Sequence, residues 1–291
     1  MDWVEVAEHR DLVVTRDGVR LSTARTGEGA PHVLWLHGGP GMFDYLAPAV
    51  TACRFGTHVR FDQRGCGRSD RVGPFTLERY LDDIADVAGH YQLERPVVAG
   101  HSFGATLALL YALAHQGDVS GLLYVSGGGL GQRWRDAHHA AHDQRLTAEE
   151  RQRRDELRAR SDQWSWDEEV AYRRLSYAPD VASGKDAWDL VEPLATAPWP
   201  LNLACNAALG KQGKRDLSEQ DLIERCRTLS VPTLVVHGAE DAIPVWSTDS
   251  LVTALPKVRR TVLVDIGHLP FVEAPSHFTE VVEPFLRACT A

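Results

Sequence analysis

Short apolar runs alternate with longer amphipathic stretches along most of this chain, a rhythm that predicts a parallel sheet with helices on both faces. Leu12 to Thr15 and Val19 to Thr23 flank Asp17-Gly18 and predict an amino-terminal hairpin. Strands are predicted at about 32–37, 57–62, 96–100, 119–126, 232–238 and 260–266. Helices are predicted between and after them, at about 43–53, 76–91, 103–115, 219–227, 246–255 and 275–288. Tyr80, Ile84, Val87 and Tyr91 recur at helical spacing, which predicts packing against the sheet.

One interval breaks the rhythm. About 100 residues lie between the strand ending near Ser126 and the one beginning at Val231, far more than a loop needs. Thr147 and Glu150 have the spacing of a capping box at a helix start. Residues 151–160 interleave acids and bases, the pattern of a solvated helix face. Trp164, Trp166, Tyr172, Tyr177, Trp188 and Trp199 then supply apolar bulk. A helical cap inserted after the sixth strand is expected, dividing the chain into core (1–129), cap (130–220) and core again (221–291).

Composition narrows the function classes. At 291 residues and 44% apolar side chains, the chain can bury one large α/β core and a smaller insertion. A net charge of -9 without a basic run argues against nucleic acid. Five scattered cysteines do not suggest a disulfide framework. Residues 1–30 hold no continuous apolar segment, and no stretch approaches the ~20 apolar residues of a membrane span. A soluble, cytoplasmic protein with no membrane partner is expected, its oligomeric state open. No glycine-rich segment fits a dinucleotide or nucleoside-triphosphate loop, so neither a cofactor nor a metal is expected.

The chemistry centres on Gly100-His101-Ser102-Phe103-Gly104, which follows the apolar run 96–99 and leads into the apolar run 105–110. A strand turning sharply into a helix would hold the Ser102 hydroxyl at the rim of the sheet. A serine nucleophile needs a base, and the base needs an acid to fix its tautomer. Residues 233–241 read as a buried strand ending in Asp241, and residues 261–268 as another ending just before His268. In a parallel sheet these strand ends open onto one edge, so Ser102, Asp241 and His268 can converge. Asp241 is preferred over Glu240, which should point elsewhere, and over Asp265 and His237. Acyl transfer also needs oxyanion donors. The backbone N–H of Phe103 is expected to be one, and that of Gly39, in His37-Gly38-Gly39-Pro40-Gly41, the other.

These elements resemble the α/β-hydrolase fold and, through residues 37–41 and the run Asp62-Gln63-Arg64-Gly65-Cys66-Gly67-Arg68-Ser69, its proline iminopeptidase-like branch. The resemblance covers nearly the whole chain, strongest over 31–126 and poorest between about 130 and 220. It implies a Ser102–Asp241–His268 hydrolase releasing an amino-terminal residue from small peptides or amides. It also implies cap acids that hold the substrate's ammonium, and Trp164-Ser165-Trp166-Asp167 looks like a shortened form of the branch's Trp-x-x-Trp-Glu stretch. Trp166, Asp167, Glu168 and Glu169 are therefore expected at the pocket, with His37, Gly38 and His101. Phe103, where the branch usually has Trp, looks more like the esterases of the superfamily. A carboxylesterase, lactonase or thioesterase is the alternative, and a non-hydrolytic biosynthetic enzyme or binding protein on the same scaffold is the alternative of another class.

Other polar features fit lesser roles. His138 and His142 have a spacing able to hold a metal but lack an intervening glutamate, and an exposed cap entrance is expected there. His101 is expected to support the turn at Ser102, and Asp62, Arg64 and Arg68 to brace a turn near the 37–41 loop.

Overall fold

Eight strands form one sheet: β1 (His9–Val14), β2 (Arg20–Thr26), β3 (His32–Leu36), β4 (Thr57–Phe61), β5 (Val97–His101), β6 (Gly121–Val125), β7 (Thr233–Gly238) and β8 (Val258–Leu263). The structure is a computed structural model that describes residues 9–53, 55–216 and 218–290. Strand order is β1-β2-β4-β3-β5-β6-β7-β8. Only the β1–β2 and β2–β4 pairs are antiparallel. The hairpin turns at Gly18, whose φ of +85° suits a residue without Cβ.

Side-chain alternation builds two cores from one sheet. Leu34, Leu36, Val98, Leu122, Tyr124 and Val235 face a layer that includes helices Leu77–His90, Phe103–Ala114 and Asp249–Ala254. Their strand neighbours Val33, Trp35, Val97, Ala99, Leu123, Val125, Leu234 and Val236 face helices Ala47–Ala52 and Pro275–Ala288. Burial on both faces explains why the central strands read as continuous apolar runs.

Six helices between Trp134 and Cys226 fill the interval between β6 and β7, the cap position that the sequence predicted. Thr147 and Glu150 form the expected capping box, and Ser165 with Glu168 forms a second. Three predictions shift. β8 ends at Leu263 and Val264 is 73% exposed, because Asp265 at φ +57° already begins the His268 loop. The predicted helix at 43–53 shrinks to 47–52, where Pro48 sits in its first turn. Trp166 and Trp188 are 43% and 41% exposed, so they add little to the buried interior of the cap. Among the described residues no helix is long and apolar enough to cross a membrane.

Candidate active site

β5 is buried along its whole length and delivers Ser102 to the carboxyl edge of the sheet at φ +56°, ψ -120°. That left-handed backbone is costly for a residue with a side chain. The Ser102 N–H donates to the Val125 carbonyl at 2.9 Å, and the next helix begins at Phe103. Small residues let three elements meet there. A Cβ on Gly104 would lie 2.0 Å from the Leu36 carbonyl oxygen, and one on Gly38 would lie 2.7 Å from the Ser102 Cβ. Among the described residues, neither the Gly39 nor the Phe103 N–H has an acceptor in the protein. Both residues line a void with Ser102.

Asp241 and His268 meet across the loops after β7 and β8. The His268 Nδ1 lies 3.0 and 2.9 Å from the two Asp241 oxygens, and the Ile243 N–H donates to Asp241 Oδ1 at 2.8 Å. Burial disfavours a charged His268, but the Asp241 carboxylate outweighs it, helped by Asp180 and Glu273, and His268 is pushed up to about 9. Burial likewise works against a charged Asp241, yet His268 and His237 hold its carboxyl below the usual range. His237 Nε2 is 3.4 Å from Asp241 but donates to the Ile243 carbonyl at 2.7 Å, and its ring is fully buried behind the site. Glu240 turns to the Ser183 N–H.

Two networks hold the His268 loop. Glu273 accepts from the N–H groups on both sides of His268, Gly267 at 2.9 Å and Leu269 at 3.0 Å, and from Ala182 of the cap at 3.0 Å. The His268 N–H itself donates to the Asp180 carbonyl at 2.7 Å. In the second network the Gly38 N–H donates to Tyr45 Oη (2.9 Å), whose hydroxyl donates to His101 Nδ1 (2.7 Å). His101 Nε2 then donates to the His268 carbonyl (2.7 Å). Burial pushes His101 down to about 3, so the ring stays neutral with one donor and one acceptor, as this chain of bonds needs.

The 62–69 turn seats the cap against the 37–41 loop. Asp62 accepts from the Asp44 and Arg68 N–H groups, and Arg64 is buried between Asp83 and Asp17. The Arg68 guanidinium lies 3.6 Å from the Trp199 ring centroid. The Asn202 N–H donates to the Gly41 carbonyl at 2.8 Å, and its side-chain amide donates to the Gly65 carbonyl at 3.0 Å.

A sequence model of the alpha/beta hydrolase family matches residues 33–280. The chain belongs to the alpha/beta hydrolase family. Within this hydrolase family it is related to the proline iminopeptidase branch. A proline iminopeptidase of Heyndrickxia coagulans is 25% identical over 274 residues, 90% of this chain and 92% of that relative. Two solved structures share the fold. A proline iminopeptidase of Mycobacterium smegmatis has a TM-score of 0.70 at 21% identity, over 97% of this chain and 98% of that one. An esterase of Thermogutta terrifontis has a TM-score of 0.74 at 23% identity, over 97% and 100%.

The hydrolase pocket differs from the expected one in its lining. Ser102 and His268 share a cavity of about 360 Å³ with His101, Tyr45, Trp134, Arg135, His138, His142, Tyr177 and Asp180. A second void of about 240 Å³ opens from Ser102 past Phe103, Thr106, Leu109, Leu110, Leu209 and Leu222. His37 lines neither: it is fully buried, its Nδ1 donates to the Gly38 carbonyl at 2.9 Å, and its Nε2 accepts from the Gln63 N–H at 3.1 Å. Gly38 lies beneath Ser102 and outside both voids.

The four cap residues are also corrected. Glu169 is bound by Arg173 and by the Leu201 N–H at 2.6 Å. Glu168 caps its own helix and pairs with Arg160. Asp167 is exposed in the same first turn, and Trp166 covers the Arg173 guanidinium at 5.1 Å. An acidic helix start is favourable by itself. Conversely, His138 and His142 are no exposed entrance: their helix turns them into the cavity. Tyr45, Asp180 and Glu273 escaped sequence reasoning because each stands alone, without a motif spacing.

Proposed function

We propose that the chain is a serine hydrolase that acts through an acyl-enzyme on Ser102. The observation that carries this reading is the strained Ser102 backbone at the sheet edge, in one cavity with a His268 that is hydrogen-bonded to Asp241. Ser102 Oγ attacks the substrate carbonyl while His268 takes its proton, and His268 returns that proton to the leaving group. Water then repeats the sequence on the acyl-enzyme. Asp241 holds the Nδ1–H tautomer, and the Gly39 and Phe103 N–H groups receive the oxyanion, each such donor typically worth about 2.7–4 kcal/mol. Labelling of Ser102 by a fluorophosphonate, lost in Ser102→Ala and sharply reduced in His268→Ala, tests the assignment. A folded wild-type protein that does not label refutes it.

For substrate, the lining favours a small uncharged carboxylic ester or lactone. The cap acids expected to hold an ammonium are not among the residues that line the cavity, and two of them are paired with Arg160 and Arg173, while Arg135 lines it. The apolar void beside Ser102 suits an acyl or alkoxy group. A second reading, an aminopeptidase of the iminopeptidase type, is supported by the curated relative and by Asp180. Asp180 is the one carboxylate among the described lining residues, and it is held ionised against the cost of burial by His142, His268 and His138. Matched kcat/KM values on a proline amide and a neutral short-chain ester separate the two. Preferential cleavage of the free-amine substrate, lost in Asp180→Asn, would overturn the esterase reading.

A further inference from the structure

The proposed serine chemistry gives no part to His138 and His142, which with Asp180 line the same cavity as Ser102. His138 and His142 stand one turn apart on helix Trp134–Gln144, their ring centroids 4.2 Å apart. Asp180, from the short turn after helix Trp166–Tyr177, meets them, with Oδ1 2.8 Å from His142 Nε2. One nitrogen from each imidazole and one carboxylate oxygen all lie within 4.8 Å of one another. Among the described residues, no hydrogen bond engages either ring nitrogen of His138.

We propose that His138, His142 and Asp180 form a binding site for one divalent transition-metal ion of the Zn²⁺ class inside the catalytic cavity. Two imidazoles and a carboxylate are a borderline donor set, suited to Zn²⁺ or Co²⁺ and poorly suited to Mg²⁺ or Ca²⁺, which take oxygen ligands. An anionic ligand would meet the Asp180 carboxylate. Three protein donors leave a fourth position open toward the void, as in zinc sites that also hold water or an external ligand. Tetrahedral bonds of about 2.0–2.1 Å put donors about 3.3 Å apart. Side-chain rotation at His138 must therefore draw the group inward, and the His142 Nε2 proton must move to Nδ1.

The surroundings are those of a held site. The Arg145 guanidinium donates to the Pro179 carbonyl at 2.7 Å, and the Asp180 carbonyl is fixed by the His268 N–H at 2.7 Å. These bonds fix the backbone that carries Asp180. An ion here shares the cavity with Ser102 and His268. The proposal goes beyond the hydrolase reading, because ion binding is measured without turnover.

Calorimetric titration of Zn²⁺ into the chelator-stripped full chain tests it, with Co²⁺ visible absorption as a second measurement. One ion per chain is expected, with the intense absorption of four-coordinate Co²⁺. His138→Asn and Asp180→Asn should each weaken binding about tenfold or more. His268→Ala should change it less than about threefold. Absence of binding, a weak six-coordinate Co²⁺ spectrum in the wild type, or loss in His268→Ala with retention in His138→Asn would each overturn the site. The Co²⁺ spectrum decides the matter even where a variant fails to fold.

Discussion

Replacing Glu273 by Gln should cripple turnover more than it weakens substrate binding. The carboxylate accepts three N–H bonds, through Oε2 from Ala182 and Gly267 and through Oε1 from Leu269. A carboxamide that keeps its oxygen at the Oε2 position sets an NH₂ against the Leu269 N–H, the residue next to His268. Hydrogen bonds to charged groups contribute about 1.5–3 kcal/mol each, and a donor left facing a donor removes at least one of them. A loss of about 2–3 kcal/mol borne by the placement of His268 lowers kcat roughly 30- to 150-fold. The assay is kcat and KM on a neutral ester, alongside Tm and the rate of fluorophosphonate labelling. If kcat stays within about twofold of wild type while Tm falls, Glu273 supports the fold and does not position the base.

Asp241→Asn should bind substrate normally yet lose turnover by up to ~10⁴-fold, the scale set by a wrong imidazole tautomer, and near-normal kcat in that variant would move the acid role elsewhere. In the proposed mechanism the neutral form of His268 is the base, and Asp241 favours the charged form, so kcat/KM should fall on the acid side with a midpoint above 6.5 and toward about 9. A pH profile in chelator-containing buffer with its acid limb below 6.5 would contradict that electrostatic account. Gly38→Ala should lower both stability and labelling of Ser102, since its Cβ would press on the Ser102 Cβ and the Tyr45 hydroxyl at 2.7 and 2.5 Å. Unchanged Tm and labelling would show that the 37–41 loop has room to give.

The sheet was legible because its strands are buried on both faces and its turns carry their own chemistry, as Asp17-Gly18 and the segment 100–104 do. Ser102, Asp241 and His268 could be read because each follows the carboxyl end of a strand, and those ends share an edge. The cap resisted for a physical reason. An acid at a helix start can serve the helix or a ligand, and the sequence of Trp166, Asp167, Glu168 and Glu169 is the same in both cases. The packing decides, and Arg160 and Arg173 claim two of those carboxylates. Asp180 and Glu273 act through contacts across the fold, at separations of 38 residues to His142 and 91 residues to Ala182. No local pattern encodes such a meeting.

The cap touches the catalytic loops at two places through main-chain bonds. Asn202 donates to the carbonyl of Gly41 at the end of the 37–41 loop, and the Asp180 carbonyl receives the His268 amide. Substrate range in such a molecule cannot be altered by transplanting a cap as an independent module. A graft that joins near 130 and 220 but discards 180–182 and 199–206 would leave the His268 loop and the 37–41 loop without these moorings. Recombination is better confined to the helices Ala148–Ala159 and Ala187–Ala195, which lie outside those contact segments.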